Sequence, residues 1–203
     1  MNPLTTNFLE TIWSGNPTFK DLGSNIDKEC KGLCVMEAGV IGKDLILRRM
    51  SLYNKSFKLA AYLASDGEAG NDGFADFTDC VALLPEIRYK KIYENHDNLI
   101  EDEVSTAFDE LYLVAKVSNV FDEKLLGDDE RSRGFLDYLV SDNSGLDWDV
   151  IESGSEEDAK TLFPRLYKKF GYLFEPRSAN ITKQYADTAS LVDLIPNLDE
   201  EFN

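Results

Sequence analysis

Histidine is almost missing from this 203-residue chain, which has one, His96. A histidine-based metal centre is thereby excluded, and any Ser-His or Cys-His pair would rest on that single residue. His96 lies in the polar run Tyr93-Glu94-Asn95-His96-Asp97-Asn98, which predicts a solvated surface turn. Cysteine is scarce and odd in number: Cys30, Cys34 and Cys80 fit free thiols better than a disulfide framework. Cys30 and Cys34 stand four apart, so on a helix they would share a face. They lack the two-residue gap of a zinc or redox pair, and buried apolar thiols are the expectation.

Long apolar runs are missing too. Nothing approaches the ~18 uninterrupted apolar residues of a membrane helix, and the first residues show no basic region followed by an apolar stretch. These features predict a cytoplasmic protein with no membrane contact. No Gly-x-Ser-x-Gly elbow occurs, and the run Gly39-Val40-Ile41-Gly42-Lys43-Asp44 lacks the spacing and the hydroxyl residue of a phosphate-cradling loop. A calcium loop starting at Asp66 fails as well, with Asn71 where glycine is needed and Phe77 where a bidentate Glu is needed.

Basic residues are few, and here the deficit is informative. Twenty-one Lys plus Arg face 38 Asp plus Glu, for a formal net charge of -17. Such a charge opposes approach to phosphate backbones and anionic membranes, so direct nucleic-acid binding is not expected. A basic protein partner is favoured, because complementary potentials speed encounter and suppress wrong pairings. Acidity that merely keeps the chain soluble is the competing explanation.

What the chain does contain is core-forming material: 43% apolar and 11% aromatic residues, far above a disordered composition. The apolar spacing is mostly helical, and the predicted architecture is a mainly α, single-domain bundle of about six to nine helices with little or no sheet. Residues 1–177 form the predicted core, and residues 178–203 an acidic tail with one short amphipathic stretch around Leu191, Leu194, Ile195 and Leu198. Helices are expected over residues 4–13, 44–64 and 102–117, the last with the strongest periodicity and the second as a central helix. Residues 25–35 read as helix, though 33–41 could pass as a strand. Asp72 is a natural cap for a helix burying Phe74, Phe77, Val81 and Leu84, and Pro85 starts the next, carrying Ile87, Ile92 and Tyr93. Ser155 with Asp158 predicts a capping box, and Pro164 a break that begins a further helix.

Acidic runs are the most conspicuous clusters: Glu101-Asp102-Glu103, Asp128-Asp129-Glu130 and Glu156-Glu157-Asp158. Each lies at an expected helix start or in a loop, where the helix dipole and solvation favour carboxylates. Their spacing alone does not refute a glycosidase-like or divalent-metal site. Glu101, Asp102, Glu103, Asp128, Asp129, Glu130, Glu156 and Glu157 are the candidates for meeting a basic partner. No catalytic set, metal site or cofactor is predicted.

Two ordered motifs carry a resemblance. Residues 59–67 read Leu-Ala-Ala-Tyr-Leu-Ala-Ser-Asp-Gly and residues 71–77 Asn-Asp-Gly-Phe-Ala-Asp-Phe; further on come Trp148 and Leu162-Phe163-Pro164-Arg165-Leu166-Tyr167. This arrangement resembles the bacterial family known as domain of unknown function 4240, with Tyr62, Asp72, Gly73, Phe74, Phe77, Trp148, Pro164 and Arg165 at its motif positions. Glu68 and Ala69 depart from the family's usual loop residues. The resemblance implies a helical bacterial domain of the kind often found beside toxin genes, and no activity. Asp72-Gly73-Phe74 is adequately explained as a cap, a joint and a core anchor. The combined expectation is an acidic, non-enzymatic, immunity-type protein that neutralises a toxin by protein contact. The alternatives are a carboxylate-based or metal-assisted enzyme and a mimic of nucleic-acid charge.

Overall fold

The computed structural model describes residues 1–69, 73–101, 104, 113–127, 134–141 and 154–174. Chain contacts divide the molecule into one unit, Met1–Leu173, and another, Phe174–Asn203, of which only Phe174 is described. Among the described residues there is no strand, and the protein is mainly α as expected. The described residues form ten α-helices: α1 (Pro3–Ile12), α2 (Phe19–Cys30), α3 (Val35–Ser51), α4 (Lys55–Ala64), α5 (Phe74–Ala82), α6 (Glu86–Glu94), α7 (Leu113–Leu126), α8 (Phe135–Ser141), α9 (Glu156–Leu162) and α10 (Pro164–Phe170). A 3₁₀ helix, η1 (His96–Glu101), follows α6.

The count exceeds the expected range because one anticipated helix is two. Residues 44–64 do not run continuously: α3 ends at Ser51 and α4 begins at Lys55. The break is chemical. Leu52 and Tyr53 close the last turn of α3 with tighter bonds to the carbonyls of Arg49 and Met50, and Asn54 then leaves the helical region at φ -149° and ψ 159°. Its side chain accepts the Phe57 N–H at 2.8 Å, satisfying a donor that an α-helix start leaves orphaned. The apolar stripe runs across the break, so periodicity alone does not reveal it.

The central helix is instead α3, and residues 35–41, which could have passed for a strand, are its first turns. It packs on α1, α5, α7 and α8, most extensively on α7. The glycines that obscured this stretch make the α7 contact possible. A Cβ at Gly39 would sit 2.8 Å from the Phe121 ring, and one at Gly42 would meet the Leu136 side chain at 2.8 Å and the Ser118 backbone at 3.3 Å. Two helices therefore approach more closely than side chains would allow. Ile41, Leu45 and Ile46 fill the rest of the buried face, each stabilising the fold by roughly 1.5–3 kcal/mol.

Other expectations meet mixed outcomes. The capping box of Ser155 and Asp158 forms, and α10 starts at Pro164 after a break at Phe163. On α6 the buried residues are Tyr89 and Ile92, whereas Ile87 is 83% exposed and Tyr93 half exposed. Cys30 closes α2 and is buried, but Cys34 is the exposed cap of α3, so the two do not share a helix face. Burial, reinforced by Asp27 and Glu29, pushes the Cys30 thiol up to about 11. Asp72 and most of residues 102–117 lie outside the described residues.

Candidate functional site

Four aspartates supply acceptors to backbone N–H groups from a distance. Asp97, on η1, accepts the N–H groups of Arg165 at 3.1 Å and Leu166 at 2.8 Å, which are the first free donors of α10 after Pro164. Asp122, on α7, accepts those of Phe135 at 2.9 Å and Leu136 at 3.0 Å at the start of α8. Asp79, on α5, accepts the Val114 N–H at 3.2 Å on α7 and faces Arg49 at 3.6 Å. Asp44, on α3, accepts from the Asn2 N–H and the Thr5 hydroxyl at the start of α1. A carboxylate opposite the positive end of a helix is favoured by both hydrogen bonding and the dipole. The innermost carboxylates are thus solitary residues outside the conspicuous acidic runs.

Around Asp97 a polar corner assembles from α4, α6, η1, α9 and α10. Arg165 reaches from α10 to the Asn98 side chain at 3.1 Å and to Glu101 at 2.6 Å, and Lys91 on α6 holds the same Glu101 carboxylate. Lys91 first, and Arg165 with it, hold the Glu101 carboxyl below the usual range. Next to it, Glu156 accepts from Lys160 at 2.8 Å and from the Tyr167 hydroxyl at 2.8 Å, which lower its pKa in the same way. His96 is no solvated turn residue. Its ring lies edge-on to Phe57 at 5.1 Å and tilted to Phe163 at 6.2 Å, with the Ser56 hydroxyl 3.3 Å from Nδ1, and burial lowers its pKa.

The candidate residues of the acidic runs therefore fall into three groups. Glu101 and Glu156 are already met by cations, Glu157 is exposed on α9, and Asp102, Glu103, Asp128, Asp129 and Glu130 lie outside the described residues. Of the 38 acidic side chains, 18 lie outside the described residues, against 4 of the 21 basic ones.

The motif positions play structural parts. Phe74 packs against Tyr53 at 5.1 Å and Phe57 at 6.1 Å, and Phe77 packs on Phe57 at the same 6.1 Å separation. Gly73 precedes α5 and its carbonyl accepts the Phe77 N–H. Tyr62, in the last turn of α4, lies beside Gly67, whose φ of 88° turns the chain in the left-handed region. Pro164 occupies the first position of α10, and Arg165 links it to η1. Trp148 and Asp72 lie outside the described residues.

Sequence reasoning passed over the buried cation Arg48. Arg48 is 8% exposed, donates to the Leu84 carbonyl at 2.9 Å, lies 3.8 Å from the Tyr89 ring centroid and faces Glu86 at 3.9 Å. Burial pulls its pKa down to about 10. The Tyr89 hydroxyl bonds Ser51 at 2.6 Å and donates to the Arg48 carbonyl, closing the cluster between α3 and α6. Such an arrangement is a structural lock, since the cation's neighbours enclose it rather than present it to a ligand. Among the described residues no three His, Cys, Asp or Glu side chains are placed to hold a metal ion, and no helix is long and apolar enough to cross a membrane. Comparison with known family models, curated proteins and solved structures gives no match.

Proposed function

We propose that the protein binds a cationic macromolecule, as an immunity-type protein masking the basic surface of a bacterial toxin, through its excess of carboxylates. The net charge of -17, from 38 acids against 21 bases, is the observation that supports this reading. Among the described members of the acidic runs, Glu101 and Glu156 are engaged by neighbouring cations and Glu157 is exposed. An excess of carboxylates gains from a cationic partner, whereas those already paired must first give up an existing contact. The resemblance of the 59–77 and 162–167 motifs to a family often found beside toxin genes points the same way.

The test is a titration with the product of the adjacent gene, followed by calorimetry. A 1:1 complex is expected, weakening as salt rises from about 0.1 M to about 1 M and the screening length shrinks from about 10 Å to about 3 Å. Neutralising Asp128, Asp129 and Glu130 together to Asn, Asn and Gln should weaken it more than Glu156→Gln, whose carboxylate is already paired. Absence of a complex, or insensitivity of its affinity to salt and to the triple substitution, overturns the proposal.

A further inference from the structure

α9 and α10 are lightly held. Each has seven residues, and with the joint between them they bury Ala159, Phe163 and Leu166. Phe163 leaves the helical region at φ -133° and ψ 60°, so the pair is already jointed. Segments with so few buried residues are the ones that open locally while the rest of a molecule stays closed.

The links that hold this pair against α4 and η1 can be named. Asp97 accepts the Arg165 and Leu166 N–H groups, and Arg165 reaches Glu101 and Asn98. Lys91 and Arg165 hold the Glu101 carboxyl below its usual range, so that link persists well below neutral pH. The remaining link is His96, whose half-buried ring lies between Phe57 of α4 and Phe163 of the joint, with the Ser56 hydroxyl 3.3 Å from Nδ1. An ordinary imidazole takes up its proton near pH 6.5. The elements around the ring carry Lys55 and Lys58 on α4, Glu94 on α6, Asp97 and Glu101 on η1, Asp158 on α9 and Arg165 on α10. Asp97, Glu101 and Asp158 are engaged with α10, with Lys91 and Arg165, and with the Ser155 N–H. Burial lowers the His96 pKa and no carboxylate raises it, so a charge on this ring is not offset where it sits.

We propose that α9 and α10 open as one flap when His96 takes up a proton, while the seam between α3 and α7 stays closed. An imidazolium is better solvated by water than by two phenyl rings, so the ring leaves and Phe163 loses a neighbour at the joint. Below about pH 6.5 the open form binds the proton that the closed form resists. Each pH unit from there to the closed-form value shifts the balance toward opening by up to about tenfold. The flap goes beyond the docking function and does not depend on it.

Hydrogen exchange read by mass spectrometry from about pH 7.5 to about pH 5, with rates corrected for their intrinsic pH dependence, tests this on the natural chain. Protection over residues 156–170 should fall by up to about tenfold per pH unit below about 6.5, while α3 and α7 keep theirs. The chain has one histidine, so its imidazole C2–H resonance is unique and should titrate over the same interval. His96→Gln cannot take up the proton, and its α9 and α10 should hold their protection; where that variant does not fold, coincidence of the two titrations in the natural chain decides. Constant protection, an equal loss in α3 and α7, a resonance that titrates apart from the exchange, or an undiminished pH response in His96→Gln overturns the proposal.

Discussion

The seam between α3 and α7 and the corner where α4, η1 and α10 meet are held together by different means. At the seam, helices of 17 and 14 residues bring long apolar stripes together, and Gly39 and Gly42 let them approach until a Cβ would collide. At the corner, η1 has six residues and α10 seven, too few to offer much apolar surface. Explicit polar links replace it there: Asp97 on two backbone N–H groups, Arg165 on Asn98 and Glu101, and His96 lodged between phenylalanines. Isolated helices this short do not persist in water. A long helix can be held by shape, whereas a short one is held by named bonds.

This contrast predicts that the two regions break differently. The largest effect belongs to Asp97→Ala, which strands two N–H groups at the start of α10 and should destabilise the protein by about 3 kcal/mol in urea unfolding. Asp97→Asn, which keeps one acceptor oxygen, should recover part of that. A loss below about 0.5 kcal/mol, the level of an ordinary surface change, would break the idea that bonds hold the corner.

Next in size is Gly42→Ala at the seam. Overpacking typically costs about 1–3 kcal/mol, and the gain in helix propensity returns about 0.5–1 kcal/mol. A net loss of about 1 kcal/mol is expected in the same urea measurement, with Gly39→Ala milder if the Phe121 ring can swing aside. A stabilised Gly42→Ala protein would show that the seam has room to spare.

The smallest effect is the pH response of His96. Burial lowers its pKa in the folded state below the ordinary 6.5, so the unfolded chain binds more protons as the pH drops past that value. Stability is therefore full above about pH 6.5 and declines on acidification toward the folded-state pKa. Melting temperatures from pH 7.5 to 5.5 should fall in the natural protein and less in His96→Gln. Identical slopes would remove His96 from the corner's chemistry.

Much of this architecture was legible in the sequence, and the gaps have physical causes. Periodic apolar spacing identified α1, α5 and the helical class, and local capping rules placed the starts of α9 and α10 at Ser155 and Pro164. The split between α3 and α4 was hidden because Tyr53 and Phe57 continue the stripe while Asn54 turns the chain. The bonds that Asp79, Asp97 and Asp122 make to distant backbone N–H groups join residues 13 to 69 apart in sequence, beyond any local rule. A faint signal existed: Ser118 and Asp122 interrupt the buried face that Val114 begins, four residues at a time.

The long-distance caps also constrain how this chain can be cut. Asp97 is 3% exposed, and its carboxylate answers to α10, which is made almost seventy residues later. A fragment ending before residue 164 would keep the negative charge in place with neither backbone donor to meet it. Truncations within this unit should therefore melt regions far upstream of the missing piece, and η1, synthesised first, must wait for α10 before either is secure.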